Sequence, residues 1–133
     1  MLRFSSSLIQ RKAPQFTASS VFRGEITTIS SSDFLGKYLV ALFYPLDFTF
    51  VCPTELVAFS DRINEFQALN CNVLGISVDS QFSHLAWTRM DRKLGGVGEL
   101  EFPLVSDLKK SISSQFNVLN EESGISNRYF ILT

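Results

Sequence analysis

The sequence has few of the residues that build metal centres and disulfide frameworks. Its 133 residues include two cysteines and one histidine, which excludes a multi-histidine metal site and a disulfide scaffold and favours a reducing compartment. No apolar run approaches the roughly 20 residues that a transmembrane helix needs. Charge of one sign is not in excess, because 12 Lys+Arg stand against 13 Asp+Glu. A basic stripe of the kind that binds nucleic acid is therefore missing, and we predict neither a nucleic acid nor a membrane as partner.

What is present fits one globular domain, with 45% hydrophobic and 19% charged residues. Residues 1–12 (MLRFSSSLIQRK) are rich in serine, carry three cations and lack an acid, and this composition resembles the start of a transit peptide. The alternative is that the apolar side chains of this segment pack on the domain. We predict an N-terminal extension over 1–12 and a domain over 13–133. Because the chain stops at the end of a predicted strand, whose edge a domain usually covers, we expect this domain to be incomplete at its C-terminus.

Alternating strand and helix patterns predict an α/β fold. Arg23-Gly24 predicts a hairpin turn, and the run 37–44, apolar on both faces, predicts a buried central strand. A helix from Pro53 to Leu69 then leads to a second buried strand at 72–78, which makes the two strands parallel. We then predict a helix over 83–92, a mobile glycine-rich connection over 95–98 and a strand over 102–105. Asp107 is predicted to cap a helix that buries Leu108, Ile112 and Phe116. A last strand is predicted over 128–132.

Cys52 is the candidate for chemistry, because it lies where a buried strand ends and a helix begins. Sites form at the carboxyl ends of parallel strands, and a helix N-terminus stabilises an anion, so a thiol there loses its proton more easily. The alternative is a small buried side chain without chemistry. Position 55 carries Glu55 instead of a second cysteine, which argues against a local dithiol and favours attack of a lone thiolate on a peroxide.

Other residues are weighed against structural roles. Thr49 either offers a hydroxyl to a thiolate or a peroxide, or is an ordinary loop residue. Pro45 either shields the thiolate or merely ends the strand. Arg128 either lowers the thiol pKa or is a surface charge. Cys71 is separated from Cys52 by a predicted helix of about 25 Å, too far for a disulfide, and is interpreted as structural.

His84 is interpreted as a structural residue as well. The neighbouring side chains at Phe82, Leu85 and Trp87 are interpreted as packing or interface residues.

The string from Pro45 to Glu55, PLDFTFVCPTE, resembles the active-site signature of the typical two-cysteine peroxiredoxins. The strings SVDS at 77–80, FSHLAW at 82–87 and PLVSD at 103–107 add to the resemblance. It implies a thioredoxin-like fold, with a central mixed sheet flanked by helices and the C-terminal strands missing. It also implies that Cys52 is the peroxidatic cysteine, Thr49 orients the peroxide, Pro45 shields the thiolate, Arg128 is the active-site arginine and Glu55 belongs to the polar network.

The family implies reduction of hydrogen peroxide and organic hydroperoxides without a metal or haem cofactor, with thioredoxin or another thiol as reductant and a homo-oligomer as the intact form. We predict a cytoplasmic protein, with mitochondrion or plastid as alternatives. The chain departs from the family in lacking the segment with the resolving cysteine and in reading RYFI at 128–131. Alternative functions are a non-catalytic chaperone or interaction protein, or an inactive fragment.

Overall fold

The computed structural model of the chain describes residues 12–49 and 52–133, with Cys52 described by its backbone. The strands and helices follow in chain order as β1 (Thr17–Phe22), β2 (Glu25–Ser30), β3 (Tyr38–Phe43), α1 (Cys52–Asp61), α2 (Ile63–Ala68), β4 (Cys71–Ser77), α3 (Gln81–Arg89), β5 (Leu104–Ser106), α4 (Ser111–Gln115), β6 (Leu119–Asn120), β7 (Ile125–Ser126) and β8 (Tyr129–Leu132). This alternation confirms the predicted α/β class.

Within these described ranges, six strands form one mixed sheet in the order β2-β1-β5-β4-β3-β8. Strands β3, β4 and β5 run parallel, whereas β1 and β8 run antiparallel to their neighbours. The predicted parallel pair joined by a helical crossover is thereby confirmed. The β1–β2 hairpin turns at Arg23 (φ 50°) and Gly24 (φ 76°), and two positive φ values in a two-residue loop match the twist of the flanking strands.

Both faces of the central strands are buried. Along β3, Val40 and Leu42 face a core built with α1, α2 and α3, while Leu39, Ala41 and Phe43 face a second core built with α4. This alternation explains why the β3 segment is apolar throughout, as a strand covered on both sides must be.

The helix predicted from Pro53 to Leu69 is two helices. Helix α1 ends at Asp61, and Arg62 (φ −109°, ψ 19°) separates it from α2. Leu56 and Ile63 are buried as predicted, but Leu69 is 72% exposed, because α2 ends at Ala68 and the chain turns at Asn70 (φ 54°) into β4. The prediction that Leu69 lies on the buried stripe is wrong.

The glycine-rich connection at 95–98 packs against the end of α3. Val97 is fully buried, its N–H donates to the Trp87 carbonyl, and the Trp87 indole donates to the Gly95 carbonyl. A Cβ at Gly96 would lie 2.1 Å from the Met90 carbonyl oxygen. The glycines therefore allow close packing against α3, and the predicted mobility is wrong.

Asp107 caps α4 as predicted, accepting from the N–H groups of Ile112 (3.0 Å) and Ser113 (2.7 Å). The helix begins at Ser111, however, so Leu108 precedes it and is 59% exposed. The prediction that Leu108 shares the buried face of Ile112 is wrong, because helical spacing does not extend to a residue outside the helix.

Three further elements have boundaries that differ from prediction by a few residues. The α3 helix starts at Gln81, where the Ser80 side chain accepts from the Ser83 N–H, and ends at Arg89 rather than 92. Strand β5 begins at Leu104 instead of 102, and β8 begins at Tyr129, so Arg128 immediately precedes it. These shifts leave the predicted order of elements intact.

Candidate active site

The loop between β3 and α1 lies at the carboxyl end of the parallel strands. Tyr44 still donates its N–H to the Ile76 carbonyl of β4 (3.1 Å), so the chain leaves the sheet after this residue. Cys52 is the first residue of α1, which has ten residues. The strand–loop–helix position predicted for Cys52 is confirmed, and the first turn of a helix has backbone N–H groups without intrahelical partners.

Thr49 and Pro45 lie in this loop. The Thr49 hydroxyl donates to the Leu46 carbonyl at 3.0 Å, so its single proton is directed within the loop and its oxygen is left as an acceptor. Pro45 is half-buried and directly follows Tyr44. The loop's own backbone therefore holds the Thr49 hydroxyl.

Arg128 and Glu55 join two parts of the site that are far apart in the chain. An Arg128 Nη1 contacts Glu55 Oε1 at 3.5 Å, and both side chains are about one-third exposed. Glu55 lies in the first turn of α1, one turn from Cys52. Of the five predicted site residues, these two are brought into direct contact, and their pair places a cation beside the start of α1.

Beneath the loop lies a buried polar network centred on Asp47. Its carboxylate accepts from the Tyr44 hydroxyl (2.8 Å), the Ser83 hydroxyl (2.9 Å) and His84 Nδ1 (2.7 Å). Its backbone N–H donates to Asp79 Oδ2 at 2.8 Å. A carboxylate buried this deeply is retained only when its oxygens are satisfied, so the network fixes the middle of the loop.

His84 is held from both sides. Nδ1 faces the Asp47 carboxylate and Nε2 faces the Val105 carbonyl oxygen at 3.0 Å. Both contacts are short and fully buried, so the imidazole bridges the Asp47 carboxylate and the backbone of β5. The structural role predicted for His84 is confirmed, and its side chain ties α3 to the Cys52 loop and to β5.

Burial raises the pKa of the Tyr44 phenol well above its ordinary value, and the negative charge of Asp47 adds to the effect. Tyr44 therefore stays a neutral donor to Asp47 throughout the physiological range. The ring also packs on Trp87, with 5.8 Å between centroids, so Tyr44 joins the polar network to the core.

Phe48 occupies the left-handed region of backbone space (φ 61°), which is uncommon and costly for a bulky residue. Its ring lies 6.1 Å from that of Trp87. The surrounding contacts of the loop hold this conformation, as strained positions near functional sites require.

Sequence reasoning missed the roles of Asp47 and Tyr44. Both residues stand next to or inside the motif, but their partners Ser83 and His84 are 36 to 40 residues away in the chain. The available signal was an acidic residue inside the motif, three positions after the end of the predicted apolar strand.

Cys71 lies at the opposite end of the sheet. It starts β4, where it is paired with Tyr38, the first residue of β3. It is a free, buried thiol whose pKa burial raises above its ordinary value. Cys52 follows the other end of β3, which agrees with the predicted separation of the two cysteines.

Residues 12–49 and 52–133 hold neither a metal-ligating cluster nor a membrane-spanning helix. No group of three or more metal-ligating side chains occurs in this part of the chain. No helix in the same ranges is long and apolar enough to cross a bilayer.

Comparison with known proteins places this geometry among close relatives. Residues 9–133 match the family model described as the AhpC/TSA family. The chain is 62% identical over 125 residues to the chloroplastic 2-cysteine peroxiredoxin of Chattonella marina var. antiqua, covering 93% of this chain and 64% of that protein. It is 57% identical over 122 residues to the chloroplastic 2-Cys peroxiredoxin BAS1 of Spinacia oleracea, covering 91% and 46%.

Solved structures agree with the sequence relatives. The reduced 2-Cys peroxiredoxin of Plasmodium vivax superposes with a TM-score of 0.87 at 42% identity, covering 92% of this chain and 64% of that one. AhpC of Enterococcus faecalis superposes with a TM-score of 0.88 at 35% identity, covering 96% and 75%. The chain spans between about half and two-thirds of the length of the two curated relatives described above.

Proposed function

The chain belongs to the AhpC/TSA family, and on that basis we propose that it is a thiol-dependent peroxidase whose reacting group is the Cys52 thiol. The resemblance carried by the string from Pro45 to Glu55 is confirmed by this membership, and the thioredoxin-like fold by the solved structures. The observation that carries the proposal is the position of Cys52 as the first residue of α1, beside the Arg128–Glu55 pair.

Helix α1 and Arg128 supply the electrostatic part of the mechanism. The free N–H groups and positive dipole end of α1 favour the thiolate over the thiol. Arg128, held by Glu55 in the first turn, places a guanidinium near the start of α1, although the Glu55 carboxylate offsets part of its charge. Both features support a Cys52 thiolate at neutral pH, which is the nucleophile that a peroxide needs.

The substrate is hydrogen peroxide or an organic hydroperoxide. The Cys52 thiolate attacks the terminal peroxide oxygen, so an S–O bond forms and the O–O bond breaks. Cys52 is oxidised by two electrons to a sulfenic acid, and the leaving oxygen takes a proton and departs as water or alcohol. Thr49, whose proton is directed to Leu46, accepts the hydroperoxide O–H; Arg128 stabilises the charge on the leaving oxygen, and Pro45 limits water access.

A second thiol must return Cys52 to its reduced form. An external thiol R′SH attacks the sulfenic acid, releasing water and leaving a mixed disulfide, and a further thiol releases Cys52 as R′SSR′ forms. Cys71 is unsuited to this step, because it lies buried at the other end of the sheet. We propose thioredoxin or another thiol as the reductant, as the resemblance to the two-cysteine peroxiredoxins implies.

Self-association is part of the proposal. Leu46, Phe48 and Phe82 expose apolar side chains around the Cys52 loop, and exposed apolar clusters mark contact surfaces. We infer a homo-oligomer that covers this cluster. Sedimentation of the chain and of Phe82→Ser at a series of concentrations tests it: the variant dissociates at higher protein concentration than the parent, whereas unchanged assembly contradicts this surface.

We propose a plastid as the compartment of this protein. Two relatives of 62% and 57% identity are named chloroplastic, which supports the plastid alternative over the predicted cytoplasm. The full chain with a C-terminal fluorescent protein, expressed in cells that contain plastids, tests this alternative. Fluorescence confined to the cytosol would contradict it.

The test of the peroxidase proposal is trapping of the oxidised sulfur. The protein is treated with stoichiometric hydrogen peroxide and a sulfenic-acid trap, and each cysteine peptide is quantified by mass spectrometry. The label appears on Cys52, is lost in Cys52→Ser and survives in the matched control Cys71→Ser. A folded protein that labels Cys71 instead, or neither cysteine, refutes the proposal.

A further inference from the structure

A buried hydroxyl outside the Cys52 loop bonds to the residue at which that loop begins. Ser126, the last residue of β7, donates from Oγ to the Tyr44 carbonyl oxygen at 2.9 Å, across 82 residues of chain. Ser126 is 1% exposed and Tyr44 is 2% exposed. Because a buried carbonyl without a donor is costly, this bond fixes where the 126–128 segment meets the end of β3.

The same short segment reaches the other end of the loop. Tyr129 is paired with Phe43 in the antiparallel ladder of β8 and β3, so Arg128 is opposite Tyr44 in the continuation of that register. Two residues after Ser126, the Arg128 guanidinium contacts Glu55 in the first turn of α1. The segment from 126 to 128 therefore touches the chain both before and after the loop that leads to Cys52.

Backbone hydrogen bonds also connect the 126–128 segment to α4. The Asn127 N–H donates to the Val118 carbonyl (2.8 Å), and the Val118 N–H donates to the Ser113 carbonyl of α4 (2.9 Å). These backbone bonds fix the distance between the 126–128 segment and α4. The ladder with β3 begins at Tyr129, and the Ser126 hydroxyl adds a contact with the end of β3 on the other side of Arg128.

We propose that Ser126 is a positioning residue for Arg128: its hydrogen bond to Tyr44 sets the placement of the guanidinium beside the start of α1, and hence the reactivity of Cys52. This inference rests on the proposed function for the choice of Cys52 as the reacting group. Ser126 itself touches neither peroxide nor sulfur and acts through Arg128.

The experiment compares Ser126→Ala with Ser113→Ala. Ser113 is also fully buried, but its Oγ has no hydrogen-bond partner in the part of the chain that the structure describes. The rate of Cys52 alkylation by iodoacetamide is measured against pH, peptide by peptide. Ser126→Ala moves the midpoint of this profile upward by about half a pH unit, because Arg128 then stabilises the thiolate less. Ser113→Ala leaves the midpoint unchanged.

A double-mutant cycle separates positioning from general loosening. In an Arg128→Ala background, Ser126→Ala produces no further shift of the midpoint, since the group through which it acts is gone. An equal shift in both backgrounds, or no shift in either, overturns the proposal. Where Ser126→Ala fails to fold, Ser126→Thr is used instead: it keeps the donor and the parental midpoint, and a shifted midpoint in this variant is contrary to the proposal.

The measurement is independent of peroxidase activity. A parent protein that forms no sulfenic acid with peroxide refutes the proposed function, while its Cys52 alkylation profile still reports on Ser126. A parent protein that reduces peroxide normally, with a midpoint that Ser126→Ala does not move, refutes the positioning role alone.

Discussion

Replacement of Asp47 by alanine tests the buried network under the Cys52 loop. The change removes the acceptor of three side-chain donors, on Tyr44, Ser83 and His84. The bond from the residue's backbone N–H to Asp79 persists, since alanine keeps that group. The loss therefore isolates the carboxylate.

The expected cost is about 4 kcal/mol of unfolding free energy. Removing a buried carboxylate from its hydrogen-bonded partners costs up to roughly 3–5 kcal/mol, the range for breaking a buried charged pair, and each orphaned buried donor costs about 1–3 kcal/mol. These figures describe overlapping losses and are not summed. At about 0.05–0.15 kcal/mol per residue, a chain of this length has roughly 7–20 kcal/mol in total, so Asp47→Ala removes a large part of its stability.

The assay is urea unfolding followed by the fluorescence of Trp87 and by far-ultraviolet circular dichroism. Trp87 is the single tryptophan of the chain and is fully buried next to Tyr44. Coincident transitions justify a two-state free energy. The matched control is Asp61→Ala, whose exposed carboxylate lies 3.8 Å from Arg92 and is worth about 0.5 kcal/mol or less. A loss below about 1 kcal/mol for Asp47→Ala, with an unchanged urea slope, would refute the reasoning.

Three further outcomes follow from the same structure. Because burial raises the pKa of the Cys71 thiol, its alkylation at pH 8 is at least about 10-fold slower in the native protein than after unfolding; equal rates would contradict its burial. Gly96→Ala costs about 2–3 kcal/mol in a urea melt, since the new Cβ meets the Met90 carbonyl; a neutral result would show that the 95–98 segment yields easily. Because the pKa of Tyr44 is raised in the folded protein, its contribution to stability is fully present below the unfolded-state pKa near 10. That contribution is lost as the pH rises from there through the folded-state pKa. A thermal midpoint that does not fall above about pH 10 would contradict the burial of the phenol.

The features that local sequence predicted depend on neighbours a few residues apart. Arg23-Gly24 turns the first hairpin because the loop needs positive φ at both positions. The continuous apolar run of β3 required cover on both faces. Asp107 caps α4 because its carboxylate reaches N–H groups five and six residues on. Errors arose at Leu69 and Leu108, where a helical spacing was extended past the point at which the helix ends or begins.

By itself, the sequence determined the strand–loop–helix motif that places Cys52 at a helix start, because strand periodicity and the helix-starting Pro53 act within one short stretch of chain. Only the tertiary structure decided which groups surround that motif. Asp47 meets His84 across 37 residues and Tyr44 meets Ser126 across 82, because packing brings α3 and the separate β6–β7 pair against the end of β3. No local pattern contains such pairings, because a hydrogen bond between distant residues depends on how the sheet and helices pack.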